Sequence, residues 1–237
     1  HRFKIDDAEQ AYEALQRDRG ALGILLEYPE RPREEVMRRT VEVGPSRAAA
    51  GSTVAVIGAG GYATRVLMPA LQAAGLELKV VVATGGVSSY HAARKFGAEL
   101  ASTEAAMALE DEEVGGVVVA TRHDSHGRYV EEALRAGKHV FVEKPMALGL
   151  GELEAIERAW KEKGGVVTVG YNRRYAPQAI KMRGLLAGVR VPKVIVITVN
   201  AGAIPGDHWT QDAAVGGGRL VGEGCHFLDL ARYLAGP

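Results

Sequence analysis

Between residues 53 and 169, short apolar runs alternate with stretches in which apolar residues recur every three or four positions. The runs 53–57, 79–83, 116–120 and 139–143 are almost continuously hydrophobic and rich in β-branched residues, the pattern of strands covered on both faces. Helical spacing predicts helices near 61–74, 88–96, 104–110 and 125–136. A helix from Gly151 to Lys163 and a strand from Val166 to Val169 continue the series. Such alternation predicts an α/β fold with a doubly wound parallel sheet and right-handed crossovers. Further on, Lys193 to Asn200 reads as a strand and His226 to Leu234 as a helix. They look like the start of a partial α+β unit that stops, at Pro237, before closing its own sheet. Ahead of the alternation, Ala8 to Leu15 has a helical pattern and Leu22 to Tyr28 is strand-like. Residues 31–50 are charged and then rich in Gly, Pro, Ser and Ala, which reads as a connector.

The first long strand pattern, Thr53 to Ile57, runs directly into Gly58-Ala59-Gly60-Gly61-Tyr62-Ala63 and then into helical spacing at Val66, Leu67, Ala70 and Leu71. Strand, glycine turn and helix follow in the order that a dinucleotide site requires. Gly58 permits the tight turn and Gly60 lets backbone approach a pyrophosphate at the helix N-terminus. Ala63 holds the third position, where a small residue lets helix and strand pack closely. The acid that normally binds the ribose should close the next strand, yet Thr84-Gly85-Gly86 stands there. No carboxylate then repels a 2′-phosphate, which Ser88 or Arg94 could meet, but no arginine directly follows the strand. NAD and NADP both remain open.

A second segment carries chemistry. His139 to Val142 is a buried-strand pattern that breaks off at Glu143-Lys144-Pro145. Proline ends strand pairing, so Lys144 stands at the carboxyl end of its strand, where open α/β sheets bind their ligands. Beside a cofactor such a lysine can take up proton-transfer or electrostatic work; alternatively, it merely ends the strand and pairs at the surface.

Composition narrows the partners. Lysine plus arginine number 29 and aspartate plus glutamate 29, so the formal charge is zero and speaks against nucleic acid or an anionic membrane. The arginines between Arg31 and Arg39 are interleaved with Glu30, Glu34 and Glu35, a solvated segment rather than a basic patch. Cys225 is the one cysteine, which excludes an intrachain disulfide and suggests a reducing, cytoplasmic compartment. No apolar run approaches the roughly 20 residues of a membrane span. The chain begins at His1 without a methionine, so an upstream part is expected.

Five motifs, in order, resemble those of the Gfo/Idh/MocA family of dinucleotide-dependent oxidoreductases. They are the glycine turn at 58–63, Thr121-Arg122-His123-Asp124-Ser125-His126, the Glu143-Lys144-Pro145 corner, Gly170-Tyr171-Asn172-Arg173-Arg174-Tyr175, and Gly216-Gly217-Gly218 followed by His226. The resemblance implies a Rossmann-type cofactor domain over 51–146 and an incomplete substrate domain over 147–237, whose open sheet commonly mediates homo-oligomerisation. Residues 1–30 separately resemble the C-terminal end of medium-chain, zinc-type alcohol dehydrogenases. The pairing is similar to two-domain oxidoreductases associated with polysaccharide biosynthesis.

The implied activity is NAD(P)-dependent hydride transfer at a secondary alcohol of a sugar, nucleotide sugar or cyclitol. Two other outcomes of the same resemblance are a glycosidase or lyase that oxidises transiently with bound NAD, and a non-catalytic nucleotide sensor. Lys144 matches the lysine that contacts the substrate hydroxyl and nicotinamide ribose, and His226 the histidine that accepts the hydroxyl proton. The family aspartate four residues before that histidine is replaced by Gly222; Glu223, its neighbour, either substitutes for it or has no role. Cofactor contacts are expected from Gly58, Gly60, Gly61, Tyr62, Ala63, Thr84, Thr121, Arg122, His126, Glu143 and Lys144, and substrate contacts from Tyr171, Arg174 and Trp209. His123, Asp124 and His126 superficially suggest a metal, but the histidine spacing equally suits a helix start capped by Asp124 or Ser125, and no metal is expected.

Overall fold

The structure, a computed structural model, describes residues 1–17, 20, 22–46 and 53–236. It divides into two units, His1–Arg38 and Arg39–Pro237. In the first, strand β1 (Arg2–Lys4) is followed by helix α1 (Ala8–Arg17) and pairs in parallel with β2 (Leu25–Glu27). A short helix, α2 (Arg33–Val36), ends this unit.

The second unit begins with β3 (Thr40–Glu42) and β4 (Thr53–Ile57). A π-turn at Ala63–Leu67 leads into α3 (Met68–Ala73), then β5 (Glu77–Val82), α4 (Gly86–Phe96), β6 (Leu100–Ser102) and α5 (Ala106–Leu109). The second half runs β7 (Gly116–Val119), α6 (His126–Arg135), β8 (His139–Val142), α7 (Leu150–Lys163) and β9 (Val167–Val169). Helices α8 (Pro177–Leu186) and α9 (Cys225–Ala235) follow. The sheet order is β3-β6-β5-β4-β7-β8-β9, parallel throughout except for β3, which pairs antiparallel with β6. The fold is a doubly wound, Rossmann-type α/β sheet.

The uninterrupted hydrophobicity of the strands has its reason in two separate cores. From β4, Ala55 and Ile57 face a core closed by Ala108, Val130, Leu134, Ile156 and Ala159 of α5, α6 and α7. The alternate residues Val54 and Val56 face the opposite core, closed by Leu67, Met68, Ala92, Ala93 and Phe96. Period-two alternation is therefore intact, but both of its faces are apolar.

Several expectations are revised. Part of the presumed connector, 31–50, forms α2 and the edge strand β3; its residues 47–50, with 51 and 52, lie outside the described residues. The sheet continues past 146 to β9, so the proposed boundary at 146 cuts it. The strand β6 and helix α8 carry no clear signal in the sequence, because β6 is three residues long and α8 has no marked apolar face. Lys193 to Asn200, read as a strand, forms no strand, and Val194 and Val196 are 92% and 83% exposed. Strand propensity expresses fit to a packed, paired surface, and the described residues supply no partner there.

Leu134 is wholly buried against β-strand and α7 residues of the first core. Leu134→Ala is expected to destabilise this unit by about 2–5 kcal/mol. Urea unfolding would register this as a lower midpoint with an unchanged slope; an unmoved midpoint would contradict the assigned packing.

Candidate active site

A cavity of about 1230 Å³ opens above the carboxyl ends of β5, β4, β7 and β8. Its floor is the glycine turn. Gly58 has φ +107°, and a Cβ there would lie 2.4 Å from the Ala120 carbonyl oxygen. Two constraints thus demand glycine at once: the left-handed backbone and the close approach of the turn to the end of β7. At Gly60, by contrast, a Cβ would meet nothing within 4 Å, because it would enter open space. Ala63, 1% exposed, packs at the start of the helix. The residues of this turn fit a pyrophosphate: the backbone is bare where an anion must come close.

All the expected cofactor positions line this one cavity: Gly58, Gly60, Gly61, Tyr62, Ala63, Thr84, Thr121, Arg122, His126, Glu143 and Lys144. Ser88 lines it as well, with Oγ donating to the Gly85 carbonyl at 2.7 Å. Arg94 does not; its guanidinium lies over the Tyr90 ring. Asn172, not among the expected cofactor contacts, also lines the cavity and donates Nδ2 to the Tyr62 hydroxyl at 3.4 Å. Its position just beyond the carboxyl end of β9 is the signal that could have marked it. Burial raises the Tyr62 pKa, helped by the charge of Glu143, whose own pKa burial raises.

Lys144 is 16% exposed at its side chain and makes two directed contacts. Nζ donates to the Gly222 carbonyl at 2.8 Å and to Glu223 Oε1 at 3.0 Å. The carboxylate therefore sits one residue later than the family pattern. Glu223 lies within a π-turn, Leu220–Gly224. Position 222 itself is crowded, since a Cβ would lie 3.1 Å from His123 Cε1 and 3.2 Å from the Gly216 carbonyl oxygen. Glu223 does not line the cavity; it reaches it through Lys144.

His226, 6% exposed in the first turn of α9, shares the cavity with Lys144. Its Nδ1 is buried without a hydrogen-bond partner among the described residues. The Tyr171 ring meets it edge-on at 6.2 Å between centroids. Burial lowers its pKa, and the positive charges of Lys144 and Arg173 lower it further.

Trp209 lines the cavity and packs edge-on against His123 at 4.8 Å, with the Arg122 guanidinium 5.7 Å from its ring. His123 in turn donates Nδ1–H to the Gly216 carbonyl at 2.8 Å, which ties the glycine loop to the end of β7. The other two expected substrate residues are not brought into the cavity lining. Tyr171 buttresses His226, and Arg174 forms a bidentate pair with Asp229, Nε to Oδ2 at 2.9 Å, over the Tyr233 ring. A largely buried carboxylate captures the guanidinium that sequence spacing alone left free. At the start of α6 the expected cap is also replaced. Neither Asp124 nor Ser125 caps the helix through its side chain, and Ser125 Oγ donates instead to the Arg122 carbonyl at 2.9 Å. Among the described residues no group of three His, Cys, Asp or Glu side chains is placed to hold a metal ion, and no helix is long and apolar enough to cross a membrane.

Known proteins share the fold. Residues 52–171 match the oxidoreductase family with the NAD-binding Rossmann fold, Gfo/Idh/MocA. Over 147 residues the chain is 32% identical to scyllo-inositol 2-dehydrogenase (NAD(+)) of Bacillus subtilis, covering 61% of this chain and 42% of that protein. It superimposes on levoglucosan dehydrogenase in complex with NADH and levoglucosan with a TM-score of 0.68 at 26% identity, covering 78% of this chain and 54% of that one. A 3-ketoreductase from Actinomadura kijaniata in complex with NADP and TDP-benzene gives 0.65 at 26% identity, over 78% and 57% of the two chains. The chain spans about half the length of the relatives it matches. With a family match over half its residues and this cavity at the ends of its strands, the chain belongs to the Gfo/Idh/MocA family of oxidoreductases.

Proposed function

We propose that this protein is an NAD(P)-dependent dehydrogenase that acts on a secondary alcohol of a sugar, nucleotide sugar or cyclitol. The observation that carries the reading is the meeting of Lys144 and His226 in the same cavity as the glycine turn. The turn at Gly58–Ala63 would hold the pyrophosphate, and Thr84, Thr121, Glu143 and Lys144 the remainder of the dinucleotide. When bound, the nicotinamide supplies the acceptor for the hydride. Because no carboxylate stands at Thr84, the adenosine ribose end accommodates NAD or NADP.

Oxidation of an alcohol needs removal of the hydroxyl proton as hydride leaves the carbon. His226 is held neutral by its surroundings and so can accept that proton near neutral pH. Lys144 donates hydrogen bonds and stabilises the developing alkoxide, while Glu223 and the Gly222 carbonyl fix where its ammonium points. Glu223 takes the place of the family aspartate. Trp209 offers an aromatic face to a sugar or cyclitol ring, and Tyr171 and Arg174 serve by supporting α9.

The same reading extends to the whole protein. Residues 1–30 are assigned to the closing segment of a preceding zinc-type, medium-chain dehydrogenase domain, on the pattern from His1-Arg2-Phe3 to Leu22-Gly23-Ile24. A two-domain protein of this kind fits polysaccharide biosynthesis in the cytoplasm, and homo-oligomerisation through residues 147–237.

Three measurements test the proposal. Gly60→Leu places a side chain where the phosphates approach without striking the protein, so it should fold normally yet bind NADH and NADPH at least about tenfold more weakly. Unchanged dissociation constants would remove the turn from the site. Lys144→Ala should slow hydride transfer about 10²–10³-fold while dinucleotide binding is largely kept. Full turnover in that variant overturns the role of Lys144. For His226 the sign follows from the lowered pKa: the neutral base is lost only as pH falls below the ordinary histidine value of about 6.5. The acid limb of the kcat/KM profile for alcohol oxidation should therefore lie below that pH and vanish in His226→Gln; a limb retained in the variant assigns it to another group.

A further inference from the structure

We propose that His126 is a positioning residue for Lys144, locking the backbone of the Lys144–Pro145 corner to the start of α6. The inference rests on the role proposed for Lys144. Its basis is the placement of His126 between two strand ends. The ring is fully buried, with Nδ1 2.7 Å from the Pro145 carbonyl oxygen and Nε2 3.1 Å from that of Thr121. Pro145 follows Lys144 directly at the end of β8, and Thr121 lies just past β7, so one imidazole spans the two exits that flank the cavity.

Carbonyl oxygens only accept, and a neutral imidazole has one N–H to donate. The shorter contact assigns that proton to Nδ1, hence to Pro145. Burial lowers the pKa of His126 and keeps the ring neutral. Although the ring lines the cavity, both nitrogens face backbone carbonyls, so neither is left for a cofactor. This replaces the ligand role expected of His126 with a bracing one.

The adjacent residue completes the brace. A Cβ at Gly127 would lie 2.7 Å from Glu152 Oε1, so glycine there leaves room for this carboxylate. Glu152 Oε2 accepts from the Leu148 and Gly149 amides at 2.8 and 3.1 Å. His126 of α6 thus holds the corner between β8 and α7 at Pro145, and Glu152 of α7, beside Gly127, holds it at Leu148 and Gly149. Lysine has a long, flexible stem, and its ammonium finds Gly222 and Glu223 reproducibly only if the backbone that carries it is fixed.

The test compares His126→Leu, which fills the buried volume without an N–H, with His126→Asn, which keeps a donor near the Nδ1 position. The 15Nζ resonance of Lys144, identified by its loss in Lys144→Ala, reports the ammonium environment without any substrate. It should move toward that of exposed lysines in His126→Leu and stay near its original position in His126→Asn. NADH binding should be unchanged in both, and turnover should fall up to about 100-fold in His126→Leu alone. A Lys144 resonance unmoved in His126→Leu overturns the proposal. Should His126→Leu fail to fold, the tautomer of the unmodified protein decides: long-range 1H–15N correlations should show Nδ1–H, and an Nε2–H tautomer refutes the bond to Pro145. If Lys144→Ala instead retains full turnover, the catalytic reading fails while the resonances still report the brace.

Discussion

A parallel sheet covered by helices on both sides leaves its faces no room for chemistry, and this constraint shapes the entire second unit. Both faces of β4 are apolar and enclosed, one by α5, α6 and α7 and the other by α3 and α4. Polar and charged groups that must meet a ligand are therefore displaced to where the strands end. Glycine at 58, threonine at 84 and 121 and the Glu143–Lys144 pair all stand at that edge, and one cavity joins them.

What turns an edge into a site is the bracing between strand ends. Gly58 lets the first turn settle against the Ala120 carbonyl, and His126, seated beside the Thr121 carbonyl after β7, donates Nδ1–H to the Pro145 carbonyl after β8. His123 carries the connection on to the Gly216 loop. Residues far apart in the chain, Lys144 and Glu223, come within 3.0 Å as a result. Each bond in this series is modest by itself, around 1 kcal/mol net, and its importance lies in the geometry that it imposes.

The electrostatics follow from the same burial. Three histidines, His123, His126 and His226, line the cavity, and burial lowers the pKa of each. They differ in what their nitrogens meet: two bond backbone carbonyls, whereas His226 keeps an unpartnered Nδ1 beside Lys144. Identical side chains thus separate into two braces and one candidate base through their contacts alone.

The sheet, its alternation with helices and its glycine turn were legible in the sequence, because apolar periodicity and glycine placement are local signals. Lys144 was legible for a related reason: Pro145 ends its strand, so its position in the fold followed from its neighbours. The edge strand β3 was not, since three residues such as Thr40–Glu42 become a strand only when Leu100–Ser102 lies beside them. Lys193 to Asn200 had the composition of a strand but has no strand partner among the described residues. Likewise, spacing could not foresee that Asp229 would claim Arg174, that the Pro145 carbonyl would claim His126, or that the Glu223 carboxylate would reach Lys144. Local sequence determines which conformation a segment prefers, but which polar groups pair depends on distances between segments, and only the packed tertiary structure sets those.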